Sequence, residues 1–151
     1  MSVRRQTVWA LATLSVLSGL VLFWGLDSGK LHIYDEGLYG MYGRTLLRYG
    51  VVLHAVDIHG DFPTGAVKFS KPPLSVWVVA ASFRVFGPSL FALRLPFALA
   101  WLAVPLIAFA FGPLLERGAR GVWLGFAWGV TWLIAYGTYE HGRTATIELL
   151  L

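Results

Sequence analysis

The sequence predicts an all-α integral membrane protein with about three transmembrane helices. Three observations predict it. Hydrophobic residues make up 57% of the 151 positions and charged residues only 13%. The mean hydropathy is +0.67, a balance that soluble domains of this length seldom have. Three runs carry no charge and reach the roughly 20 residues needed to cross the hydrocarbon core: Thr7–Leu26, Leu95–Leu115 and Gly121–Tyr139.

Other features bound the class further. Seven Trp, six Tyr and ten Phe suit a chain with much of its surface at a bilayer interface. The chain has no cysteine, which excludes a disulfide framework and a Cys-based metal site. The net charge of +4 comes from scattered Lys and Arg. That pattern fits topology and attraction to anionic membrane lipids rather than nucleic acid, and no nucleic-acid-binding motif is present.

The first run, Thr7–Leu26, follows Arg4 and Arg5, which would also serve a signal peptide. No small-x-small cleavage site follows Leu26, so a retained span is the better reading. An outer loop, Asp27–Arg94, comes next. Its first part, Tyr34–Arg48, predicts a surface helix with Asp35 and Glu36 at its start and Arg44 and Arg48 near its end, an order that complements the macrodipole. Gly37, Gly40 and Gly43 recur every three residues along it. Each costs a helix about 1 kcal/mol against Ala, so something approaches the backbone there. Either another helix packs closely on the stripe or a lipid phosphate or glycan runs along it.

The stretch Val51–Phe69 has no clear period and reads as a polar loop. It mixes His54, Asp57, His59 and Asp61, but the spacing matches no standard set of metal ligands. Leu74–Phe86 is apolar, closed by Lys71-Pro72-Pro73 before it and Gly87-Pro88 after it. Its 13 residues reach only about 20 Å, too short to span, so it predicts an interfacial or re-entrant helix.

In the second span, Pro96 is expected near the helix start, where a missing N–H is harmless, and Pro105 at a mid-helix kink. Arg117 and Arg120 then fall in a short turn before the third span. With three spans and the N-terminus inside, this turn joins Arg4 and Arg5 on the cytoplasmic side, as the positive-inside rule requires. A four-span count would put Arg117 and Arg120 outside. The three-span count places Asp35, Glu36, Lys71 and Glu148 on one outer face. After the third span come Glu140, His141, Arg143 and Glu148, and the chain stops in an apolar run. That ending reads as a cut chain, either a gene fragment or part of a larger protein.

These residues admit chemistry at the water–lipid boundary. Asp35, if ionised beside a hydroxyl or amine, can act as a general base. Glu36 projects about 100° away around the helix, so it serves to position the pair or is simply solvated. Lys71, before two prolines, is a compact cation suited to a lipid-linked phosphate leaving group, and Arg143 is a second cation of that kind. The bland alternatives are a helix start that complements its dipole and ordinary interfacial cations.

A family resemblance rests on the ordered set YDEGLYG…GR, F-x-KPPL, FG-x-S-x-FALRLP and GRTATIE. Over nearly the whole chain this set resembles the N-terminal part of the GT-C membrane glycosyltransferases. It is most similar to the lipid A aminoarabinose transferases and to related polyprenyl-phosphate-sugar mannosyltransferases. Each motif alone is weak, and their order carries the resemblance.

The resemblance implies a bacterial inner-membrane enzyme with its site facing the periplasm or exterior and juxtamembrane helices in the first outer loop. It implies a polyprenyl-phosphate-linked sugar as partner and further spans beyond this portion of the fold. Asp35 matches the family's catalytic base, and Lys71 matches the lysine on the donor phosphate. Glu148 falls where the family usually has Asp. The candidate catalytic residues are therefore Asp35 and Glu148, and the candidate substrate-binding residues are Lys71, Glu36, Arg44 and Arg143. Ser70 stands where the family often has Glu, a metal ligand in some members. No metal site or cofactor is assigned, and a divalent metal is left open. The other reading is non-enzymatic: a small membrane protein or truncated-gene relic that binds polyprenyl lipid or a partner.

Overall fold

A computed structural model describes residues 2–31, 35–50, 72–135 and 144. The polar loop with His54, Asp57, His59 and Asp61 lies outside these residues. The described residues form five helices in the order α1 (Val3–Phe23), α2 (Asp35–Tyr49), α3 (Pro73–Phe86), α4 (Leu90–Leu115) and α5 (Ala119–Ile134), with no strand among them. The chain divides into two compact units, one of residues 1–24 with 97–143, the other of residues 25–96 with 144–151. The last turns of α4 belong to the first unit and its opening turns to the second.

Among the described residues two helices are long and apolar enough to cross a membrane. They are α1, with 21 residues, and α4, with 26. At 1.5 Å per residue α1 reaches about 31 Å and α4 about 39 Å, against a hydrocarbon core of about 30 Å. Their most apolar windows are only 22% and 28% buried, so neither is the enclosed core helix of a soluble protein. Val8, Trp9, Val16 and Leu20 of α1 and Leu99, Ile107, Phe111 and Leu114 of α4 are all exposed. Lipid accepts such a surface at no hydrophobic cost, and water does not.

The boundaries correct several sequence expectations. α1 starts at Val3 and ends at Phe23, so it takes in Arg4 and Arg5 and stops short of Leu26. α4 starts at Leu90 rather than Leu95. Ser89 caps it, its Oγ accepting the N–H of Ala92 at 3.1 Å. Pro96 is therefore inside the helix, not in its first turn, and supplies no donor to the Ala92 carbonyl. α5 ends at Ile134 with 16 residues, about 24 Å, and residues 136–139 of the expected third span lie outside the described set.

The first unit packs through small residues. Gly121, Gly125 and Gly129 stand four apart on α5 and all are buried. A Cβ on Gly112 of α4 would overlap the Gly125 backbone, and one on Gly125 would overlap the Phe109 carbonyl. The two backbones touch there, as small-xxx-small faces allow between membrane helices. Gly129 receives Leu14 of α1, where a Cβ would lie 2.5 Å from the leucine Cδ2. Ala10, Leu14, Phe109, Val122 and Leu133 complete this core.

In the second unit α2 and α3 pack side by side. Tyr39 lies beside Ser75, and Gly43 sits against Val79 and Phe83. Contacts advance in the same direction along both helices, so they run parallel. α3 is bounded as its sequence requires. Pro73 opens it, where a missing N–H is harmless, and Gly87 closes it at φ 77°, where a side chain would be strained.

Candidate functional site

The centre of the second unit is an arginine. Arg94, on the second turn of α4, is 5% exposed, and Glu36, on the first turn of α2, is 0% exposed. The Arg94 Nε donates to Glu36 Oε1 at 2.7 Å and its Nη2 to Oε2 at 3.0 Å, a bidentate fork. Nη1 donates to the carbonyls of Leu26 at 3.2 Å and Ser28 at 2.7 Å, and Nη2 to Lys30 at 3.1 Å. A guanidinium has five N–H donors, and here each has an acceptor. A buried charge is tolerated only when paired and fully hydrogen-bonded, and this pair meets that condition. The result ties the segment after α1, the start of α2 and the start of α4 to one point.

Beside this clamp lies a cavity of about 540 Å³, within the usual range for small-molecule sites. Gly37, Gly40 and Met41 of α2 form one wall, Phe83 of α3 and Leu90 and Leu93 of α4 another. The lining is mostly apolar. Among the described residues its charged members are Glu36, bound by Arg94, and Arg44, which is exposed.

The glycine stripe of α2 thus divides. Gly43 serves packing, since a Cβ there would lie 2.8 Å from Val79 Cγ1 and 3.3 Å from the Phe83 ring. Gly37 and Gly40 face the cavity, and a Cβ on Gly40 would meet only Leu93, at 3.8 Å.

Asp35 is the first residue of α2 and is half-buried. Its charge reaches Tyr39 one turn on. Burial pushes the Tyr39 phenol above its ordinary pKa, the nearby Ser75 hydroxyl opposes that shift, and the Asp35 carboxylate adds to it. Tyr39 therefore stays a neutral hydroxyl at neutral pH.

Of the sequence candidates, Asp35, Glu36 and Arg44 share α2, and the last two share the cavity wall. Glu36 is not solvated; its carboxylate is spent on Arg94. Lys71, Arg143 and Glu148 lie outside the described residues. Among the described residues no three His, Cys, Asp or Glu side chains stand together as a metal site. Arg94 was missed from the sequence as a site residue. Its signal was a lone cation inside the apolar helix run LFALRLPFALA, which demands a buried partner. Compared with family models, with curated proteins and with solved structures, the chain finds no match.

Proposed function

We propose that this chain is the N-terminal part of a membrane glycosyltransferase of the GT-C type, which moves a sugar from a polyprenyl-phosphate donor to an acceptor at the outer face of a bacterial inner membrane. The observation that carries the reading is the cavity: an apolar space walled by Gly37 and Gly40, with the Arg44 cation at its rim and Asp35 at the start of the same helix. An isoprenoid tail suits such walls, and a guanidinium suits a phosphate. In the transfer, an acceptor hydroxyl or amine attacks the anomeric carbon and the carbon–oxygen bond to phosphate breaks. Asp35 takes the acceptor's proton, and the charge left on the lipid phosphate is held by Arg44. Lipid A is the acceptor class that the sequence resemblance suggests.

The test is retention of a polyprenyl phosphate by the detergent-solubilised chain in native mass spectrometry. Wild type is expected to retain it, and Arg44→Ala to retain several-fold less. Equal retention by both removes Arg44 from phosphate binding. In an active transferase that contains this chain, Asp35→Asn is expected to lower the rate by about 10²–10⁴-fold at equal expression. Near-normal turnover would return Asp35 to a helix-start role.

A further inference from the structure

We infer that the end of the first unit where α1 begins is a binding site for an anionic phospholipid, whose phosphate the guanidiniums of Arg5 and Arg120 hold from two helices. Among the described residues of the first unit five are charged: Arg4, Arg5, Glu116, Arg117 and Arg120. The run of the helices brings all five to one end. α1 leads into Leu26, whose carbonyl accepts from Arg94 near the start of α4, while Leu14 and the Pro105 carbonyl meet at Gly129. α1 and α4 are therefore antiparallel. α5 returns from α4 after a three-residue turn, so α1 and α5 are parallel, and they pack on each other. Leu14 is level with Gly129, and nine residues back along each helix stand Arg5 and Arg120. Arg4 adjoins Arg5, and Arg117 lies in the turn before α5. All four arginines are exposed, against the single carboxylate of Glu116.

Charge by itself would serve topology alone. A second feature points to a lipid. Trp9 follows Arg5 by four residues and Trp123 follows Arg120 by three, so each tryptophan shares a helix face with its arginine. They are 65% and 53% exposed. Each stands about one turn, roughly 5 Å, further along its helix. Trp favours the depth where headgroups meet acyl chains. An arginine ahead of an exposed tryptophan is thus repeated at one level on two packed helices. Guanidinium at the phosphate and indole at the acyl esters is the order of groups in a phospholipid. Arginine at all four basic positions suits that ligand, because its planar fork takes two phosphate oxygens where lysine offers a point charge. The site shares no described residue with the cavity lined by Gly37 and Gly40.

The experiment measures retention of phosphatidylglycerol, and of phosphatidylcholine with the same acyl chains, on the detergent-solubilised chain by native mass spectrometry. Wild type is expected to retain phosphatidylglycerol several-fold better. Arg5→Gln with Arg120→Gln is expected to lower that retention roughly ten- to thirtyfold, at about fivefold per arginine. Phosphatidylcholine retention and the thermal midpoint stay as in wild type, since both side chains are exposed. Arg84→Gln, on α3 of the second unit, removes another exposed arginine and is expected to change neither lipid. Trp9→Leu with Trp123→Leu keeps the charge and is expected to lower phosphatidylglycerol retention several-fold. Equal retention of the two lipids by wild type overturns the site. So does an equal loss in Arg84→Gln, which would mean diffuse attraction to any surface cation. Loss of both lipids alike in the arginine pair overturns it too, as does full retention in the tryptophan pair. Displacement by soluble glycerol phosphate as readily as by the lipid would leave an ion site and overturn the lipid.

Discussion

Glycines punctuate both units, with opposite consequences. On α5 they stand four apart, at 121, 125 and 129, and their bare faces are filled by backbone from α4 and by Leu14 from α1. On α2 they stand three apart, at 37, 40 and 43, and Gly43 is filled by Val79 and Phe83. Gly37 and Gly40 border the cavity. A four-residue step drifts by about 40° around a helix and a three-residue step by about 60°, so the α5 glycines keep closer to one seam than those of α2. The first unit has spent its small residues on dry packing. The second has two of them along a cavity, and an ion pair ties its helix starts together.

The largest effect on this contrast is expected at the ion pair. Arg94→Ala removes the bidentate partner of the buried Glu36 carboxylate and the guanidinium donors to three carbonyls, and loss of one partner of a buried pair costs about 3–5 kcal/mol. Thermal unfolding in detergent should show it as a lowered midpoint, and hydrogen exchange at the first turn of α2 should accelerate. An unchanged midpoint would mean that the clamp does not hold the second unit.

Gly125→Ala comes next. Its Cβ meets the Phe109 carbonyl, and no rotamer change moves backbone, so a loss of about 1–3 kcal/mol is expected by the same assay. Tolerance of alanine there would break the claim that α4 and α5 touch at their backbones. At Gly43 the obstacle is side chain. Val79 and Phe83 can give way, and the gain in helix propensity of about 1 kcal/mol offsets the crowding, so Gly43→Ala should change stability by less than about 1 kcal/mol.

Gly40→Ala sharpens the contrast most finely. Its Cβ makes an ordinary contact with Leu93, so stability is expected to rise by up to about 1 kcal/mol. The added methyl narrows the cavity, so retention of a polyprenyl phosphate should fall. A variant that is both more stable and equally retentive would show that the space beside Gly40 is not used.

Much of the helical plan was legible in the sequence because local signals bounded it. Pro72-Pro73 and Gly87 marked α3 to within a residue, and Asp35 marked the start of α2. The starts of α1 and α4 were read late, because charge was taken to end a span. Arg4, Arg5 and Arg94 instead lie inside helices. The Glu36–Arg94 bond joins residues 58 positions apart, and no periodicity encodes that pairing. The four-residue glycine step on α5 lies in the sequence itself, inside a run whose hydropathy signals a span and says nothing of which face packs. Asp35, Glu36 and Arg44 were singled out, but the sequence did not separate their surroundings. One is half-exposed, one is clamped and one stands at a cavity rim.

The most direct measurement is photo-crosslinking of a diazirine-bearing polyprenyl phosphate to the solubilised chain, followed by peptide mapping. The account predicts labels on Gly37–Thr45 of α2 and on Leu90–Leu93 of α4, reduced by unlabelled polyprenyl phosphate and by Arg44→Ala. Labels confined to α1 and α5, or spread evenly over every apolar helix and indifferent to competitor, would contradict it.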